Sequence, residues 1–360
     1  MDDAPLFEAL PEADVARALL AYLRRSAGAP GLSWVAPPRR MLGGFDSLIY
    51  AFELRAAPVP LAGPLVLRLY RDADGAERAR REGSIQNAVG RLGFPTPLVL
   101  LTGLDRSVLG GAFVIMQRLP GRVMLDALFG PRLLRMPVLL AALHARLHAL
   151  DARQLTRALT DAECATDRLS VSSDLDAMQA RIAAARLSGL EMAMQWLLAH
   201  RPTPMAGPAI CHGDFHPLNI LLAGGSVSGV LDWAWSRIDD PAWDVGATVA
   251  LITQGPLEIP GFLRGLARVG RRWVVDRYLR AYRALRGLDL DAVRYYEGMR
   301  CLAMLIEAGE HIQARRGVIA PIAKPTAFAD ARIIGSLIGR YGAISGVDAA
   351  IEPTPRAEYR

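Results

Sequence analysis

The run Cys211-His212-Gly213-Asp214-Phe215-His216-Pro217-Leu218-Asn219 gathers two imidazoles, a carboxylate and an amide, and a second carboxylate, Asp232, follows thirteen residues after Asn219. A carboxylate can act as a base toward a hydroxyl. An amide oxygen and a second carboxylate suit a hard cation such as Mg2+, which takes a few protein oxygens and leaves room for phosphate and water. A rival chemistry uses His212, Asp214 and His216, which alternate along an extended segment and could bind zinc for hydrolysis. Pro217 and Asn219 would then have no task, and further ligands would have to come from His144, His148, His200 or His311. The plainest reading is that polar residues in a turn satisfy backbone groups, which would explain each of them taken singly.

Taken together, His-Gly-Asp-x-His-Pro-x-Asn over 212–219, followed by Asp232-Trp233, resembles the aminoglycoside phosphotransferase and choline kinase family. These are the small-molecule members of the protein-kinase-like phosphotransferases. The resemblance covers roughly residues 39–250 and implies an α+β, two-lobed protein-kinase-like fold. A small β-rich lobe is expected over 1–118 and a larger helical lobe over 119–360. It implies Asp214 as catalytic base, Asn219 and Asp232 as Mg2+ ligands, and ATP or GTP as donor of a γ-phosphate to a hydroxyl of a small molecule. His212 and His216 would brace the loop. Asp232 is followed by neither Phe-Gly nor a long segment before Asp240-Pro241, which disfavours a protein substrate. The alternatives are a kinase-like nucleotide binder with little catalysis and, third, the metal-dependent hydrolase.

The elements that must position these groups differ in texture along the chain. Residues 6–27 read as an amphipathic helix, with Leu10, Val15, Leu19, Leu20 and Leu23 at helical spacing, and Gly28–Pro38 breaks it. Short β-like runs follow at Leu48–Leu54, Leu65–Tyr70, Leu98–Leu101 and Phe113–Arg118, interrupted by a helix from Gly75 to Leu92 that stops at Gly93-Phe94-Pro95. Beyond Leu119-Pro120-Gly121, helical spacing recurs over 132–149, 175–186, 191–200, 261–286 and 291–314. Between them, Ile210–Leu222 and Ser228–Trp233 read as two strands around Ala223-Gly224-Gly225.

By the same resemblance the first lobe supplies the nucleotide clamp. Gly43, Gly44 and Ser47 form a candidate phosphate-approaching turn, although two glycines also make an ordinary hairpin. Arg68 stands where the family pattern has a phosphate-binding lysine, with Glu82 as its partner and Glu77 as the alternative. The chain has one lysine, Lys324, so a substitute cation is required there, and Arg is not equivalent to Lys. A solvated surface pair is the competing explanation. Met116, Gln117 and Leu119 would read the base, Gln117 by its carbonyl and Leu119 by its amide.

Composition bounds the rest. With 360 residues, 52% hydrophobic and 22% charged, the chain can bury a core. A net charge of +6 suits a phosphate-bearing ligand but is too thin for a dedicated nucleic-acid binder. Cys164, Cys211 and Cys301 show neither disulfide nor zinc spacing and are expected as free thiols. With no signal-like start and no apolar run of spanning length, a cytoplasmic protein without a membrane partner is expected; oligomeric state is left open. Glu297, Glu307 and Glu310 are the acids available to an amine-bearing acceptor, Trp235 and Trp243 could line its pocket or pack, and Asp244 is expected to cap a helix start.

Overall fold

The computed structural model describes residues 11–41, 47–128, 131–164, 169–205, 207–256, 261–322 and 326–351. In chain order the elements begin α1 (Glu12–Ser26), β1 (Ser33–Arg40), β2 (Leu48–Arg55), β3 (Pro64–Tyr70), α2 (Gly75–Arg91), β4 (Val99–Gly103), β5 (Ala112–Gln117) and β6 (Arg122–Val123). They continue with α3 (Met136–His148), α4 (Ala152–Asp161), α5 (Val171–Ala184), α6 (Glu191–Ala199), β7 (Ala209–Cys211), β8 (Ile220–Ala223), β9 (Ser226–Val230) and β10 (Arg237–Asp239). The remaining helices are α7 (Pro241–Gln254), α8 (Arg264–Leu285), α9 (Leu290–Arg315) and α10 (Ala331–Ser345). Two compact units result. The first takes residues 1–124, 153–166 and 218–234, and the second takes 125–152, 167–217 and 235–360. This is the α+β, kinase-like arrangement: a small antiparallel sheet near the N-terminus and a helical remainder.

In the first unit the sheet runs β1-β2-β3-β5-β4, every neighbour antiparallel. Alternation along the strands decides what each face carries. Leu65, Leu67 and Leu69 of β3, with Tyr50, Phe113 and Ile115, pack against Leu19 and Leu23 of α1. The intervening positions face the other way: Tyr70, Val114 and Met116 pack with Ala76 and Ala79 of α2. Arg68 lies on this second face, opposite Val114, so the strand period delivers its guanidinium to α2. A second sheet, β6-β8-β9, belongs to the same unit and is tied to it by Val230 N donating to Pro95 O at 2.8 Å. Its hairpin turns at Gly224 (φ 60°) and Gly225 (φ 90°), the two left-handed positions a tight two-residue turn demands.

The second unit is built around α7, buried from Pro241 to Ala250 and packed against the long, largely buried α9. α3 packs on α8 and α10 on α9. One expectation needs correction here. Ile210 does not continue into a single strand reaching Leu222; β7 ends at Cys211 and pairs with β10, and only β8 and β9 form the hairpin. The segment between, 212–219, is therefore a loop fixed at both ends by separate sheets. Among the described residues no helix is long and apolar enough to cross a membrane. Cys211 and Cys301 are buried, Cys164 is half-buried, and all three are free; burial first, then nearby carboxylates, push the Cys211 and Cys301 thiols up.

Candidate active site

In the first unit Arg68 is the organising side chain. Its NH1 lies 3.1 Å from Glu82 Oε2, its Nε donates to Ser47 Oγ at 2.8 Å, and NH1 and NH2 both reach Asp232 Oδ1 at 3.3 Å. Tyr70, two residues along the same face, donates its hydroxyl to Glu82 Oε2 at 2.8 Å and sets its ring 5.3 Å from the Arg68 guanidinium carbon. Glu82 is 3% exposed and the Arg68 side chain 11%, which removes the surface-pair explanation. Burial disfavours the charge on Arg68, but Glu82, Tyr70 and Asp232 more than offset it and raise the arginine above its ordinary value. Glu77 is exposed, so Glu82 is the partner that the helix presents.

Asp232 itself adopts φ 63°, a left-handed conformation that costs a non-glycine residue energy and is tolerated best by Asp and Asn. Its side chain is 39% exposed, so one carboxylate oxygen engages Arg68 while solvent still reaches the group. Asn219 closes the 3-10 turn Pro217–Asn219, and its carbonyl accepts from Leu231 N at 2.8 Å, pinning it beside the residue that precedes Asp232. Of the expected base-reading residues, Gln117 pairs through its backbone N–H with Leu98 O at 3.0 Å, and Met116 Sδ lies 3.6 Å from Gln86 Nε2. Leu119 is half-buried and packs on Gly229. Gly43 and Gly44 lie outside the described residues.

In the second unit Asp214 accepts from His216 Nε2 at 3.2 Å and meets Arg300 NH2 at 3.3 Å through its other oxygen. Burial pushes its carboxyl up, but the His216 bond, then the charges of His216, Arg300 and His212, win and hold it well below the usual carboxylate range. The Arg300 guanidinium also lies over the Trp235 ring, 5.5 Å from its centroid. His212 turns back on the loop, its Nδ1 accepting from Asp214 N at 3.2 Å. Gly213 has φ 79°, and a Cβ there would meet Trp235 O at 2.4 Å, so no other residue fits.

The loop is held from beneath by Asp244, which is fully buried. Oδ1 accepts from Gly213 N at 2.8 Å and Oδ2 from His212 N. His148 Nε2 bonds Oδ2 at 3.2 Å, and His144 Nε2 lies 2.9 Å from the same oxygen but off the line of a good bond. Each imidazole meets a tyrosine hydroxyl at 2.7 Å through Nδ1, His144 that of Tyr278 and His148 that of Tyr282. Burial disfavours the Asp244 charge, but His144 and His148 outweigh it and hold the carboxyl well below its ordinary value. Asp244 thus takes the backbone N–H bonds expected of it from the loop, while the start of its own helix is capped by Asp240, whose side chain accepts from Ala242 N at 2.9 Å.

Residues 39–288 match the family described as the phosphotransferase enzyme family. The chain belongs to that family. The phosphotransferase, a small-molecule kinase by this membership, has solved structures of similar fold. A protein of Ralstonia eutropha JMP134 assigned as an aminoglycoside phosphotransferase aligns with a TM-score of 0.62 at 16% identity, over 91% of this chain and 95% of its own. Macrolide 2'-phosphotransferase MphH from Brachybacterium faecium aligns at 0.54 and 18% identity, over 92% and 99%. A ternary complex of aminoglycoside phosphotransferase APH(4)-Ia with AMP-PNP and hygromycin B aligns at 0.53 and 18%, over 92% and 98%. At these identities the likeness is one of fold. Among curated proteins, acyl-CoA dehydrogenase family member 11 of Mus musculus is 29% identical over 196 residues, 53% of this chain and 25% of that protein. The Gallus gallus counterpart is 30% identical over 200 residues, 54% and 24%. The chain thus spans about a quarter of the length of the curated relatives it matches.

The rival zinc triad does not form in the phosphotransferase. Among the described residues the one group of acids, histidines and cysteines close enough to share an ion is His144, His148 and Asp244, not His212, Asp214 and His216. Sequence reasoning missed Arg300 and the two tyrosines. The tyrosines carried a signal, because Tyr278 and Tyr282 repeat the four-residue spacing of His144 and His148. Arg300 carried none, since nothing in the spacing of α9 ties it to a loop 86 residues earlier.

Proposed function

We propose that the phosphotransferase moves the γ-phosphoryl group of ATP or GTP to a hydroxyl of a small molecule. Asp214 serves as base, Asn219 and Asp232 hold Mg2+, and Arg68, braced by Glu82 and Ser47, contacts the phosphates. Gly43 and Gly44 supply the glycine turn, and Met116, Gln117 and Leu119 receive the nucleobase. The first 118 residues act mainly on the nucleotide, and the helical remainder carries the acceptor.

The observation that carries this reading is the placement of Arg68. One buried guanidinium joins Ser47, Glu82 and Asp232, so a fixed positive charge sits beside the carboxylate assigned to the metal. The donor set fits Mg2+: an amide oxygen and a carboxylate, both hard oxygens, with no thiolate or imidazole among them. Bound there, the ion would neutralise phosphate charge. Asp214, kept ionised by His216 and Arg300, accepts a hydrogen bond from the acceptor hydroxyl and takes its proton as the new O–P bond forms. The AMP-PNP and hygromycin B held by APH(4)-Ia support a nucleotide donor and a small hydroxylic acceptor by analogy of fold.

Melting the protein with ATP or GTP, with and without Mg2+, tests the reading. A saturating nucleotide at a hundredfold its Kd should add about 2.7 kcal/mol of stability, dependent on Mg2+. Asp232→Ala should abolish that dependence, whereas Asp214→Asn should keep it and lose roughly 100- to 10,000-fold in kcat. No shift with either nucleotide would overturn the assignment.

A further inference from the structure

We propose that Arg300 binds the acceptor, and that the acceptor carries an anionic group, a carboxylate or a phosphate, close to the hydroxyl that is phosphorylated. The inference rests on Asp214 being the base. A hydroxyl presented to Asp214 arrives within reach of the Arg300 guanidinium, which lies 3.3 Å from Asp214 Oδ1. Arg300 is also underused. Its side chain has five N–H donors, yet the long contact to Asp214 is that side chain's one hydrogen bond among the described residues, and its Nε is buried without a partner. Leaving such a donor unmet is costly unless a ligand meets it. The planar face of the guanidinium is held over Trp235, itself 42% exposed, so the fork is oriented while its edge is left for a bidentate anion.

The acids that would recognise an amine point the same way by being spent. Glu297 is 2% exposed and takes both forks of Arg340, and Glu310 takes Arg181 through two bonds of 2.8 and 2.7 Å. Of the three glutamates set aside for a cationic acceptor, Glu307 alone has no arginine bonded to it among the described residues, and Arg181 still lies within its field. A polycationic acceptor would place its charge beside the Arg300 guanidinium. In the transfer itself the acceptor oxygen forms a bond to the γ-phosphorus, the bond from that phosphorus to the bridging oxygen breaks, and its electron pair leaves with the nucleoside diphosphate. The hydroxyl proton passes to Asp214 and then to solvent.

The full chain is assayed for nucleoside diphosphate release against three acceptor sets: hydroxycarboxylates such as glycerate and malate, phosphorylated alcohols such as glycerol phosphate, and aminoglycosides. Each is tested on the wild type, Arg300→Gln and Arg300→Lys, with Mg2+-dependent nucleotide binding measured in parallel. Turnover confined to one anionic set is expected, and the set that responds separates carboxylate from phosphate. Arg300→Gln should raise the acceptor KM roughly 10- to 100-fold, leave nucleotide binding unchanged and be partly rescued in Arg300→Lys. Preferred turnover of aminoglycosides, turnover of none of the anionic acceptors, or an Arg300→Gln loss in kcat alone would overturn the proposal. Absent nucleotide binding in the wild type would instead strike at the kinase reading beneath it.

Discussion

Arg68 does by geometry what a lysine would do by flexibility. Its fork satisfies Ser47, Glu82 and Asp232 at once, whereas an ammonium on a flexible stem would divide its donors differently among them. Arg68→Lys is therefore expected to fold, retain Mg2+-dependent nucleotide binding and show a nucleotide KM roughly tenfold higher in steady-state assays. Arg68→Ala leaves Glu82 buried beside Tyr70 and Arg78 without its closest arginine, and should cost about 3 kcal/mol in a urea titration. The pair was read from the family resemblance with Glu77 left as an alternative to Glu82, and the buried contact of Arg68 with Glu82 decides between them. What could not be read was the third partner. Asp232 meets Arg68 from a left-handed backbone, a local conformation that no residue pattern announces for an aspartate.

At the scale of elements, the loop carrying Asp214 depends on α3 and α8: His144 and His148, held by the hydroxyls of Tyr278 and Tyr282, meet the Asp244 carboxylate that the loop amides also bind. Burial, then the neighbouring His144, lowers His148 to about 4, against only partial opposition from Asp244. An unfolded histidine titrates near 6.5, so between those values the unfolded chain takes up a proton that the folded chain refuses. Stability should be intact above about pH 6.5 and fall as pH drops toward 4, by up to about 1.4 kcal/mol per pH unit for this one group. Denaturant unfolding across that range checks it, and His148→Gln should flatten the slope. Two other elements explain why pattern reading stopped short. β1 contains Pro37 and Pro38, which read as a break; it is an edge strand with register shifts, where missing N–H groups are tolerated. α10 carries Gly335, Gly339 and Gly342 and buries only Ile334, Leu337 and Tyr341, so its helicity owes more to docking than to propensity. That docking is visible in Arg340 on Glu297 and in Tyr341, whose hydroxyl donates to Ala193 O at 2.7 Å.

For the whole molecule, the division into units does not follow a single cut in the chain. The hairpin β8-β9 and Asp232 belong to the first unit although residues 167–217 of the second precede them. A fragment of residues 1–124 would lack Asp232 and leave β6 without its partner β8. It is expected to show no Mg2+-dependent nucleotide binding by calorimetry, even where its sheet forms. The β-rich start and helical remainder were legible, since period-2 and period-3.6 burial leave different apolar spacings. Membership of a segment in a distant sheet was not, because pairing of β6 with β8 rests on contacts between residues a hundred positions apart.

That separation has a cost in time. Leu222 leaves the ribosome one hundred residues after Arg122, with which it pairs. At 5–20 residues per second the interval is roughly 5–20 s, long compared with the folding of the five strands made earlier. During it β6 waits without its partner strand, its backbone groups open to chaperones or stray strands. The first unit, which takes its five-stranded sheet from residues 1–124, is completed only once β8, β9 and Asp232 have been made.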